Sequence, residues 1–435
     1  MKRPVHRILA RALAAGLMVS VSTHVAATDI DYTLRLGLQH NDNLNSSETD
    51  PVSDNIFIPG FDFTVRQVGS RIRANLAGSI EYRDYLGGSY AGTTRAQLDG
   101  ALDWVLVPDR LTWSFQDSLG VQPINELAAD SPDNQQQTNA FATGPSLLFG
   151  RRGGIDGRFD LRYIDSYAEK TRAFDTRRTA AALAIGHDID STSRLSGNAS
   201  VQKVRFKHDE TGTDFTRSDL YAEYTRTMRQ FDLELQLGYS RLSYDAPGLG
   251  RSGGPLLGAS LGWRADARNT FSLALTRRFT DAADAMLGGD IATALPNGVN
   301  TGDASVTAQA YLQRSADLAW NWQGQRYGFS LSPYWHDYDY THSSALDRTA
   351  RGVTGGISYL LNPRLRFGLL ASNERERYTE MGRSERNRSY VAMLDYQMTR
   401  RVGWNLSYTH FERRGLLDDQ NGNQNVIYLQ LILRR

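Results

Sequence analysis

The chain reads as all-β: a single up-and-down antiparallel transmembrane β-barrel of about 20 strands, with 18 as the alternative. Three observations point there. Apolar and polar residues alternate almost without a break from Ile30 to the C-terminus, which is the period of a strand and not the 3.6 of a helix. Connections alternate between short turns and long polar loops, the asymmetry of a barrel with tight periplasmic turns and extended outer loops. Aromatic residues gather at segment ends, where the two interfaces of a bilayer favour them.

The N-terminus stands apart from this pattern. MKRPVHRILARALAAGLMVSVSTHVAA has a basic start, an apolar stretch from Ala12 to Val21 and small residues before Ala27. It reads as a secretory signal peptide over residues 1–27, leaving 28–435 as the barrel. The competing reading, an N-terminal anchor, needs a longer apolar run of roughly 20 residues. No cysteine is present, which excludes a disulfide framework and a thiolate metal site, and with a formal net charge of +1 nothing argues for a polyanionic partner such as nucleic acid. Mean hydropathy is -0.47, and no apolar run after the signal could span as a helix.

The alternation can be followed stave by stave. Ile30, Tyr32, Leu34, Leu36 and Leu38 oppose Asp31, Thr33, Arg35, Gly37 and Gln39. Phe61, Phe63 and Val65 then oppose Asp62, Thr64 and Arg66, and Ala74, Leu76, Ile80 and Tyr82 oppose Arg73, Asn75, Glu81 and Arg83. Leu98, Leu102 and Trp104 face away from Gln97, Asp99 and Asp103; Phe159, Leu161 and Tyr163 from Arg158, Asp160 and Arg162. The stretch FDLELQLGY, Phe231 to Tyr239, puts three leucines on one face and Asp232, Glu234 and Gln236 on the other. Each segment is assigned the roughly 9 to 11 residues of a tilted crossing. Val306 to Trp322 fits either one long strand or a strand with a bend.

Short turns include Pro108 to Arg110, Met228 to Gln230 and Asn362 to Arg364; long loops include His40 to Asp54, Pro123 to Thr138 and Asp281 to Asp303. Trp104, Trp263, Trp320, Trp322, Tyr359 and Tyr396 close segments at the short turns, and Tyr82, Tyr163, Tyr239 and Tyr408 at the long loops. A soluble β-sandwich would also alternate, but it should show Greek-key irregularity and blunted edges. A barrel removes edges by closing, which lipid demands because it offers no hydrogen bonds.

A barrel of this size is too wide to be filled by its own side chains. Parity assigns to the water-facing wall Arg35, Arg66, Arg73, Glu81, Arg83, Arg95, Asp99, Asp103, Arg158, Asp160, Arg162, Asp232, Glu234, Gln236, Gln309 and Asp317, with the amides Gln116 and Gln202 among further polar members. The two signs nearly balance, so many of these charges can pair across strands and strong selection for small ions is not expected. Amides, hydroxyls and paired charges suit a hydrated sugar chain, which exchanges water contacts for equivalent polar ones.

No catalytic set, metal or cofactor is expected. GLGRSG matches G-x-G-x-x-G at Gly248, Gly250 and Gly253, but a dinucleotide site needs a strand before it and a helix after it, and this stretch bridges two amphipathic strands. His336 and His342 in HDYDYTH share a face at about 20 Å separation if extended, too far for one cation. The acidic loop with Asp42, Glu48 and Asp50 lacks the ligand spacing of a calcium site. One residue conflicts with the pattern: Asp117 falls on the lipid face between Phe115 and Leu119, which a bulge or an interfacial position would relieve.

The mature N-terminus YTLRLGLQHNDNLNSSE, with the following IPGFDFTV and GSIEYRDYL, resembles the outer-membrane β-barrel family associated with exopolysaccharide biosynthesis, within the β-barrel porin 2 group. Members open with a strand ending in a Tyr-Asp-Asp-Asn type of turn. This chain keeps Asp42, Asn43 and Leu44 but has His40 and Asn41 before them, and it ends in Arg435 where assembly signals usually end in an aromatic. The resemblance implies a non-enzymatic channel in a Gram-negative outer membrane, for exopolysaccharide export or passive solute diffusion. Its implied partners are outer-membrane lipid and lipopolysaccharide, the barrel-assembly machinery and polysaccharide-export components. The alternatives are a structural or adhesive barrel acting through its long loops and, behind that, a barrel enzyme.

Overall fold

In the computed structural model, the alternating segments form one closed antiparallel sheet. The structure describes residues 28–125, 128, 131–150, 154–208, 212–246, 248–288, 309–342, 344–380, 382–415 and 421–435. The proposed signal peptide lies outside them. The first half of the sheet is β1 (Thr28–Asn41), β2 (Asp54–Val68), β3 (Ile72–Tyr85), β4 (Thr93–Val107), β5 (Leu111–Pro123), β6 (Gln135–Gly150), β7 (Ile155–Ala168), β8 (Thr176–Asp188), β9 (Ser193–Phe206) and β10 (Phe215–Thr227). The second half is β11 (Phe231–Tyr244), β12 (Arg251–Arg264), β13 (Asn269–Thr280), β14 (Tyr311–Gln323), β15 (Tyr327–Tyr340), β16 (Arg348–Asn362), β17 (Leu365–Tyr378), β18 (Arg383–Gln397), β19 (Val402–Arg414) and β20 (Gly422–Arg434).

Each strand pairs with its sequence neighbours, and β1 closes the ring on β20 with Thr33 opposite Arg434 and Asn41 opposite Val426. The sheet therefore has 20 strands and no edge; 18 is excluded, and β14 begins at Tyr311 rather than at Val306. Strands run from 12 residues in β13 to 16 in β6, longer than the roughly 9 to 11 of a bilayer crossing. The surplus carries the wall beyond the apolar band on the long-loop side. A short connection at 189–192 and a longer one at 169–175 continue the alternation begun in the sequence, whereas 379–382, on the long-loop side, is no longer than a turn.

The outward face is a band of exposed apolar side chains. Leu237 is 67% exposed, Leu220 66% and Leu34 48%, a surface that only lipid would leave unpenalised. Its lower border is a cross-strand aromatic ladder in which Phe231, Trp263, Phe271 and Trp320 stack in turn at 5.9, 5.0 and 6.4 Å. These are outward positions of β11 to β14 beside the short turns, so the girdle read from the sequence is a physical stack.

Asp117 is a real exception to the alternation, with no bulge beside it: its register is continuous with Gly100 on β4 and Phe141 on β6. The conflict is relieved by a partner instead. The Asn139 side-chain amide on β6 donates to the Asp117 carboxylate.

Candidate functional site

Most fully buried side chains lie inside the upper half of the ring, where three connections fold over or into the lumen. The deepest is the segment after β13. Asp281 opens a short helix, α1 (Ala282–Gly288), and its carboxylate accepts the backbone N–H groups of Ala283 at 3.0 Å and Asp284 at 3.2 Å. That is an N-cap over a run of Ala, Met and Leu, all good helix formers. A helix this short is marginal alone in water; the wall holds it in place. Ala282 and Ala283 pack with Ala168 at the end of β7 and with Phe174, with Met286 against the same cluster.

The polar side of α1 is clasped by strands β5 to β10. Arg178 on β8 lies 2.7 Å from Asp281 Oδ2 and 3.2 Å from Asp284 Oδ1. Arg217 Nη1 on β10 lies 2.6 Å from Asp284 Oδ2, an ion pair by distance rather than an aligned hydrogen bond. The Gln202 amide on β9 donates to Asp284 Oδ1 at 3.0 Å, and the Gln116 amide on β5 donates to the Leu287 carbonyl. Arg178 is 1% exposed and Asp281 0%, so this is a desolvated pair.

Burial works against a charge on Asp284, but Arg217 and Arg178 outweigh it and hold the carboxyl at about 2, below its ordinary value. Burial pushes the Asp281 carboxyl upward, against the opposing pull of Arg178. The two acids of the helix are thus shifted in opposite directions, Asp284 downward and Asp281 upward.

Two other connections also reach inward. Ala128, between β5 and β6, accepts through its carbonyl a hydrogen bond from Arg413 of β19 at 2.6 Å, bridging the mouth to a distant part of the ring. The first loop folds onto the closure seam: Asp42 accepts from the backbone and side chain of Asn425, both at 2.7 Å, and Asn43 donates to the Asn423 carbonyl at 2.8 Å. Leu44 is buried with Ile56, Ile58 and Tyr85. The Asp-Asn-Leu that carried the family resemblance therefore seals the joint between first and last strands.

The predicted lumen residues form a second, lower feature. Arg35 lies 2.6 Å from Asp62 and 3.8 Å from Glu81, which also meets Arg83 at 2.8 Å. Arg158 and Arg162 flank Asp160 at 2.8 and 3.0 Å. Register sets Arg95 opposite Glu81, Arg73 opposite Asp103, Asp99 opposite Ala77 and Arg66 opposite Asn75; Asp103 also accepts from Ser114 at 2.7 Å. Asp232 pairs with Arg264 at 2.6 Å, Gln236 donates to Glu234 at 2.7 Å and to Glu223 at 3.1 Å, and Asp317 meets His336 at 2.8 Å. Asp232, Glu234, Ser260, Asp317 and Tyr334 border a recess of about 470 Å³ in the wall between β10 and β15. Gln309 departs from its assignment: it precedes β14 and is not a wall residue.

The set that seats α1 is largely different from the predicted one. Gln116 and Gln202 belong to both, whereas parity reading missed Arg178, Arg217, Asp281 and Asp284. One signal was available, since Asp-Ala-Ala-Asp at the head of a long loop is a helix start. Among the described residues no group of three His, Cys, Asp or Glu is arranged to hold a metal ion. In HDYDYTH, His336 faces inward on β15, while Asp337 and Asp339 face outward and pair with Arg314.

A 20-strand ring with staves about 4.8 Å apart and tilted about 40° measures roughly 40 Å between opposite backbones. A helix about 10 Å wide lying against one wall narrows such a lumen without filling it.

No family model and no curated protein matches the chain. Among solved structures, a single-site mutant of the ferric enterobactin receptor from Pseudomonas aeruginosa is similar at a TM-score of 0.52 with 10% identity, over 95% of this chain and 81% of that one. The siderophore receptor PirA from Acinetobacter baumannii gives 0.51 with 8% identity, over 95% and 81%. At such identities the likeness is one of fold: a large closed barrel of the outer-membrane type.

Proposed function

We propose that the chain is an outer-membrane conduit whose passage is set by a helix clasped to the inner wall, and that its solute is a hydrated, weakly charged one such as an exopolysaccharide. The observation that carries this reading is α1 itself, held inside the ring by Arg178, Arg217, Gln202 and Gln116. A wall segment folded into a water-filled barrel with a desolvated ion pair serves no purpose in holding the sheet closed, since the strands already satisfy one another. It does set the width and polarity of the path. Because the wall charges are largely paired, they exert little net pull on a small ion, and the hydroxyls and amides between them match a sugar's own donors and acceptors. The solved relatives in fold bind siderophores by their names, which makes uptake of a compact polar ligand the natural competitor.

The test is transport by the folded protein in proteoliposomes loaded with polysaccharide fragments of graded length. Release that depends on the protein and falls with fragment size supports the reading. Retention of every fragment, with no conductance in planar bilayers, overturns it.

A further inference from the structure

The outward rim above β16 to β19 carries a charge arrangement that the described residues leave largely uncompensated. Arg351 lies opposite Arg375, Arg375 opposite Arg386, and Arg386 opposite Arg414, on four adjacent strands in one row. All four are exposed. With strands about 4.8 Å apart, the row is roughly 15 Å long. Like charges set directly opposite one another destabilise a sheet, and a bound counter-charge relieves that repulsion. Arg414 has two, Glu412 at 2.9 Å and Glu48 at 3.6 Å. Along their own strands Arg351, Arg375 and Arg386 have the outward neighbours Thr349, Val353, Asn373, Arg377, Ser384 and Arg388, none of them acidic, and the two acids diagonal to the row are engaged elsewhere, Asp337 by Arg314 and Glu412 by Arg388 at 3.1 Å and Arg414 at 2.9 Å.

The same height on β14 and β15 is arranged differently: Arg314 there is held between Asp337 and Asp339. The depth of the row is fixed by what lies below it. Tyr390 and Tyr408 occupy the next outward positions on β18 and β19 beneath Arg388 and His410, and both are exposed at the top of the apolar band. Aromatics at that height mark the headgroup level, and the arginines stand just above it.

We infer that the Arg351–Arg375–Arg386 row is a binding site for the phosphate groups of the outer-leaflet glycolipid, lipopolysaccharide. Guanidinium forks bind phosphate oxygens bidentately, and phosphates held at headgroup level would supply the counter-charge that the sheet omits. The inference rests on the outer-membrane placement proposed above.

The experiment titrates the folded full-length protein, in uncharged detergent, with phosphorylated lipid A, with the same glycolipid after dephosphorylation, and with inorganic phosphate. Wild type binds the phosphorylated glycolipid roughly tenfold or more tightly than the dephosphorylated one. R375Q/R386Q loses that preference, while the inward pair R158Q/R264Q keeps it. Heat-modifiable migration reports folding of each variant, and R351Q repeats the test if the double variant fails to fold. Equal affinity for the two glycolipids, an unchanged preference in R375Q/R386Q, or displacement by equimolar inorganic phosphate overturns the inference. Conductance is the same in R375Q/R386Q as in wild type, so a failed lipid contrast leaves the conduit reading intact, and a silent channel leaves the lipid contrast measurable.

Discussion

The inner wall of β1 to β3 and the outer rim of β16 to β19 are built from the same residue types on the same kind of strand, yet they treat charge in opposite ways. Inside, Arg35, Asp62, Glu81 and Arg83 neutralise one another across neighbouring staves. Outside, Arg351, Arg375 and Arg386 line up without acids between them. In a shared lumen, opposite charges on neighbouring staves come close enough to pair, whereas a rim at headgroup level, as inferred above, would draw its counter-charge from lipid phosphates. Side-chain parity along a stave thus selects a solvent as well as a face. Between these extremes sits the α1 seat, where charges are paired and also removed from water.

The largest effect expected from breaking this arrangement is at that seat. Arg178→Ala leaves Asp281 buried without its cation, a change that costs about 3 to 5 kcal/mol when the group stays buried. The helix has an escape into the lumen, so the loss should appear as detachment of α1. Hydrogen exchange should show the amides of 282–288 unprotected in the variant while those of β8 and β10 stay slow; uniform loss of protection across the barrel would instead mean that Arg178 supports the sheet.

Next is the two-faced stave β11. Leu235→Arg places a charge in the apolar band and should cost about 2 to 4 kcal/mol near the midplane, whereas Gln236→Arg should be tolerated. The structure sharpens this second half, because an arginine at 236 would find Glu223 and Glu234, which already receive the Gln236 amide. Reversible unfolding in vesicles separates the two, and equal costs would contradict the assigned facing.

Asp117 offers a smaller change on the lipid side. Asn139→Ala removes the donor from an outward carboxyl and should cost about 1 to 3 kcal/mol, while the paired change to two apolar residues should be close to neutral. A double variant worse than the single would mean that the carboxyl has another role. Smallest of all is the inner ladder: a double-mutant cycle on Arg35 and Asp62, a partly exposed pair, should give a coupling of about 0.2 to 1 kcal/mol.

The staves were legible because a strand between two solvents writes its facing into every second residue. The aromatic ladder from Phe231 to Trp320 followed from the same rule. The seat of α1 was much less legible. At Arg177-Arg178, followed by Thr179 and three alanines, both faces look alike, so parity does not say which arginine turns inward. The partners Arg178 and Asp281 are also 103 residues apart, and nothing local to either announces the other. Asp117 was visible as a conflict but not as a solution, because Asn139 becomes its neighbour only once β5 and β6 are in register. Gln309 falls off the wall because β14 begins only at Tyr311, whereas the alternation in the sequence runs on before it.

Single-channel recording of wild type against Arg178→Ala and Arg217→Ala tests most directly the proposal that α1 shapes the passage. Steady conductance in wild type that shifts to a different level in either variant, with the barrel still folded, is the predicted result. Conductance that is identical in all three proteins would contradict the account.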